Sequence, residues 1–84
     1  MVIYLIFSFE AFEETKETML TDKAQLWVNA DFFSTSQLGA LEQQGLSIHL
    51  FSEHVNGSND KSIIKALELI EKEYPDAEIL VEYL

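Results

Sequence analysis

Residues 34–46, STSQLGALEQQGL, decide between the two folds open to this chain. Ser34 and Gln37 form a capping box: the serine hydroxyl accepts from the N3 amide while the glutamine side chain reaches back to the N-cap amide. Phe33 and Leu38 flank it at the positions of a hydrophobic staple. Gly45 stands where a helix ends in a left-handed residue, and Leu46 is then placed to touch Leu41 across the turn. The spacing predicts a helix over 35–44, with a strand on each side of it.

Upstream, AQLWVN (24–29) reads as a short strand. Downstream, LSIHLF (46–51) alternates Leu46, Ile48 and Leu50 on one face with Ser47, His49 and Phe51 on the other. Further out, VIYLIFSF (2–9) is a continuous apolar run of β-branched and aromatic residues, the pattern of a strand buried on both faces. EAFEETKETML (10–20) has helix-forming composition, with Phe12, Met19 and Leu20 as a thin inward stripe. Ile63, Ala66, Leu67, Ile70 and Tyr74 recur at helical spacing until Pro75 stops the third helix, and EILVEYL (78–84) supplies a fourth strand.

Four strands alternating with three helices predict a single α/β domain over residues 1–84, with a mostly parallel sheet and right-handed crossovers. The strand order expected is 2-1-3-4, which centres the most apolar strand and leaves the second and fourth as edges. In that order the first helix lies alone on one face. The competing reading is a ferredoxin-like α+β arrangement, in which residues 10–23 or 29–45 are placed differently; the strongly signalled second helix opposes it. The face with one helix is under-covered, and Phe51 together with either Leu80 and Leu84 or Ile79 and Tyr83 is expected there. An apolar patch of this kind marks a protein interface.

Fifteen acids against five lysines give a formal charge of −10, and the chain has no arginine. Nucleic acid and anionic membrane surfaces are therefore disfavoured partners, because both are held by cationic side chains. The absence of cysteine excludes disulfides, thiolate catalysis and sulfur-rich metal sites, and it fits a reducing compartment. The apolar run at 2–9 is too short to span a bilayer and lacks the flanks of a signal peptide. A cytoplasmic location is the expectation.

Candidate chemistry gathers at the strand ends, since open α/β sheets bind ligands where the strand order reverses. In the expected order that crevice lies between the first and third strands, lined by Ser8, Glu10, Asn29, Asp31, Ser52, Glu53 and His54. Glu10, Asp31 and Glu53 are oxygen donors suited to Mg²⁺, and His54 with Glu53 is a candidate base for phosphoester hydrolysis. The plainer reading is that FSEHVNGSNDKS (51–62) is a wet turn whose Asn59 or Asp60 caps the third helix. No glycine-rich phosphate cradle is present, and no cofactor is implied.

Glu10, Glu13, Glu14 and Glu17 form a solvated helix face or a surface for a basic protein, including one that mimics a nucleic-acid backbone to inhibit a nucleic-acid-binding protein. The leading expectation is a small acidic, non-enzymatic interaction domain that forms a homodimer. The Mg²⁺-dependent hydrolase and the nucleic-acid mimic are its alternatives.

Overall fold

The computed structural model of the chain describes residues 1–82, which form one four-stranded, all-parallel sheet flanked by three helices. In chain order the elements are β1 (Val2–Ile6), α1 (Phe9–Asp22), β2 (Gln25–Asn29), α2 (Thr35–Gln43), β3 (Ser47–Phe51), α3 (Asp60–Glu73) and β4 (Glu78–Glu82). The α/β class is as expected.

Local chemistry sets each helix end. Ser8 caps α1, its hydroxyl accepting from the Ala11 amide at 3.2 Å. The capping box of α2 is complete: Gln37 N–H donates to Ser34 Oγ at 3.1 Å, and Ser34 N–H donates to Gln37 Oε1 at 2.8 Å. At its other end Gly45 has φ +97°, and the Leu46 and Gly45 amides donate to Leu41 and Glu42, the paired bonds of a Schellman turn. Asn59 caps α3 by accepting from the Ser62 amide. Lys23 ends α1 at φ 54°, a left-handed position usually given to glycine or asparagine.

The strand order is 3-2-1-4, and here the structure corrects the sequence reading. β1 is interior as expected, but β2 is interior too, with Leu26 and Val28 fully buried, and β3 is the edge. The chain steps from β1 to β2 to β3 in one direction and then returns past both to β4. Right-handed crossovers therefore set α1 and α2 on one face and leave α3 alone on the other. The first face buries Tyr4, Ile6, Leu26 and Val28 against Phe12, Met19, Leu41 and Leu46. The second buries Ile3 and Leu5 with Phe51, Val55, Ala66 and Ile70.

One face does have a single helix, but it is α3 rather than α1. Phe51 and Leu80 do not share a face: Phe51 packs with Val55 under α3, on the same face as Ile79, whereas Leu80 joins the core beneath α1 and α2, at the opposite edge of the sheet. Tyr83 and Leu84 lie outside the described residues. Among the described residues no helix is long and apolar enough to cross a membrane.

Candidate functional site

The strand order reverses between β1 and β4, so the crevice lies there and not between β1 and β3. The chain's own β3–α3 loop covers the neighbouring carboxyl ends. Asn29, at the end of β2, holds it with both halves of its amide: Nδ2 donates to the Val55 carbonyl at 2.8 Å and Oδ1 accepts from the Val55 N–H at 2.7 Å. Gly57 then lies so close to Phe7, just beyond β1, that a Cβ at this position would stand 2.6 Å from the phenylalanine Cβ and Cγ. Inside the loop, Asn56 Oδ1 accepts from the backbone and hydroxyl of Ser58, while the Asn56 amide donates to Ser62 Oγ. FSEHVNGSNDKS is thus a fastened cover, and its serines and asparagines are mostly engaged with its own backbone.

The polar residues proposed for chemistry are spread out. Glu10 is exposed on the first turn of α1, Asp31 is exposed in the turn after β2, and Glu53 and His54 are exposed on the β3–α3 loop. Among the described residues no group of three or more His, Cys, Asp or Glu side chains is gathered closely enough to hold a metal ion. Glu53 and His54 line a shallow groove of about 340 Å³ with Phe51, Val55, Lys65 and Leu69. No buried side-chain nitrogen or oxygen lacks a partner among the described residues. Glu13, Glu14 and Glu17 are exposed along α1.

Two aromatic clusters were not legible as such. Phe9, Phe12, Phe32 and Phe33 meet where α1 begins and the β2–α2 turn passes: Phe9 stacks on Phe32 at 4.6 Å, and Phe33 meets Phe9, Phe12 and Phe32 edge-on. On the α3 face, Trp27 lies parallel to His49 at 4.9 Å and touches Phe51 and Tyr74. Its indole N–H donates to Gln25 Oε1 at 3.1 Å. The sequence signal was present in FSFEAF and DFFS, but periodicity cannot report that two turns from different elements converge.

One titratable group stands apart. Burial of Tyr4 pushes its phenol above the ordinary value, and the carboxylates of Asp22, Glu82 and Glu78 push it in the same direction. All of these act against the phenolate, so Tyr4 is a core residue with its hydroxyl near the acidic margin of β4.

The outer strand β3 differs from the rest of the surface. Leu50 is 43% exposed and Ile48 and His49 are half-buried, in an edge strand that, among the described residues, has no neighbour on its outer side. Between Glu42 and Glu53 the sequence contains no acid and no lysine. Comparison with protein-family models, curated proteins and solved structures finds no match.

Proposed function

We propose that the chain is a small, acidic, non-enzymatic protein-interaction domain that associates with a second copy of itself through the edge of β3, in the reducing cytoplasmic setting that its lack of cysteine fits. The observation that carries the reading is an uncharged, partly apolar edge strand on a molecule of charge −10. An edge strand offers a row of unpaired backbone donors and acceptors, and proteins normally protect such edges with charge, above all lysine. β3 has no such protection.

Electrostatics separates the two edges. Two copies approaching through most surfaces set carboxylates against carboxylates. Antiparallel pairing of β4 about Leu80 would set Glu78 of one copy opposite Glu82 of the other, and like charges directly opposed destabilise a ladder. The same pairing of β3 about His49 sets Ile48 opposite Leu50 and Ser47 opposite Phe51. It covers the exposed Leu50 and obeys the two-fold symmetry usual for dimers.

The test is sedimentation across the micromolar range for the native chain and for Leu50→Lys. A concentration-dependent dimer that becomes a monomer in the variant is the expected result. A native chain that stays monomeric throughout this range overturns the proposal.

A further inference from the structure

A second surface is a groove between α1 and α2, lined by no residue of β3. One end, about 200 Å³, is lined by Phe9, Phe12, Phe33 and Leu41 together with Glu13 and Lys16. The other end, about 480 Å³, shares Glu13 and Lys16 and continues along Glu14, Glu17 and Leu20. Both depressions border Glu13 and Lys16, so they adjoin along α1. From Phe9 to Leu20 α1 rises about 16 Å, roughly three helical turns.

Its apolar end is built on a half-exposed aromatic. Phe9 is 50% exposed although its ring stacks on Phe32, so the Phe9–Phe32 pair offers a rigid apolar platform to solvent. Large exposed aromatics with a polar rim have the anatomy of an interface centre. The rim is acidic: Glu10, Glu13, Glu14 and Glu17 stand exposed on α1, and exposed Asp31 immediately precedes Phe32. Against them α1 carries Lys16 and, at its C-cap, Lys23, and the only charged residue of α2 is Glu42. The occupant complementary to this trough is cationic with an apolar stripe. A second copy meets that description less well, because the exposed Lys61, Lys65 and Lys72 of its α3 are offset by Asp60, Glu68, Glu71 and Glu73 on the same helix.

We infer that the α1–α2 groove is a docking site for a basic amphipathic helix of a partner protein. Its apolar anchor sits on Phe9, at the end of the groove that Phe33 closes from below, and its lysine or arginine face lies along the α1 glutamates. This is the helix-in-groove mode of recognition, with opposite charge setting orientation and encounter rate. The inference rests on the interaction-domain reading but on a different surface from β3.

The probe is a designed amphipathic peptide of leucine and lysine, titrated by NMR into the native chain, Leu50→Lys, Phe9→Ala and Glu13→Lys. The expected result is saturable binding with shifts confined to α1, α2 and the turn at 30–34. Leu50→Lys should bind like the native chain, and Phe9→Ala and Glu13→Lys should each lose about tenfold in affinity. Phe9 and Glu13 are exposed enough for both variants to fold, which circular dichroism checks. Absence of binding overturns the inference. So does binding that Phe9→Ala leaves unchanged with shifts spread over the α3 acids as well, since that is charge attraction without a site. Because Leu50→Lys is titrated separately, failure of self-association and failure of the groove give different results.

Discussion

Replacing Asn29 tests whether the β3–α3 loop is held by one amide. The side chain is 9% exposed and makes two hydrogen bonds, 2.7 and 2.8 Å, to the N–H and C=O of Val55, itself 7% exposed. Asn29→Ala leaves both backbone groups without those partners, at about 1–3 kcal/mol for each one left unsatisfied. The expected loss is about 2–6 kcal/mol, out of about 4–13 kcal/mol for a domain of this size.

Asn29→Asp refines the test. An ionised carboxylate still accepts from the Val55 N–H but turns lone pairs towards the Val55 carbonyl, and burial further disfavours its charge, so its folded pKa lies above the unfolded value of about 3.9. A group shifted upward contributes stability that is fully present below the unfolded pKa and lost as pH rises through the folded one. The deficit of Asn29→Asp relative to the native chain should therefore be small near pH ~4 and grow towards pH ~7. Urea unfolding followed by the single tryptophan, Trp27, measures all three proteins. An alanine variant within about 0.5 kcal/mol of native, or an aspartate deficit that does not change with pH, refutes the amide clamp.

The two glycines outside the turn after α2 should respond in opposite directions to alanine. Gly57→Ala forces a Cβ to within 2.6 Å of Phe7 and is expected to cost about 1–3 kcal/mol, whereas Gly39 in α2 has nothing within 4 Å of its Cβ position and its replacement should stabilise by about 0.5–1 kcal/mol, both read by thermal melting. Tyr4, whose phenol is held above its usual value by burial and by Asp22, Glu82 and Glu78, stabilises fully below the unfolded pKa of about 10 and loses that contribution as pH rises through the folded one. Tyr4→Phe should therefore flatten the alkaline fall in stability, and an identical fall in both proteins would contradict the assignment.

Much of the secondary structure was legible because its signals are local. The capping box at Ser34 and Gln37 and the Schellman turn at Gly45 involve residues a few positions apart, and all their bonds form as the spacing implies. The strand order was not legible for a physical reason. β2 and β3 each have one strongly apolar face, and nothing local distinguishes a strand covered by two neighbours from one covered by a neighbour and a helix. The candidate site suffered from the same non-local gap. Asn29 and Val55 meet across 26 positions of sequence, so the residue that fastens the loop looked like one more polar residue at a strand end.

The pairing of β1 with β4 has a consequence for how the chain reaches its native state. Val2 pairs with Glu78 and Ile6 with Glu82, so the strand that completes the sheet beside β1 is the last to be synthesised of the four. Until then β1, whose Ile3, Leu5 and Ile6 are fully buried in the finished protein, can pair only on its β2 side. A nascent chain thus carries its most apolar strand with one open flank until residues 78–82 have been made. Such long-range closure is slow, and a bare apolar flank invites association with other chains.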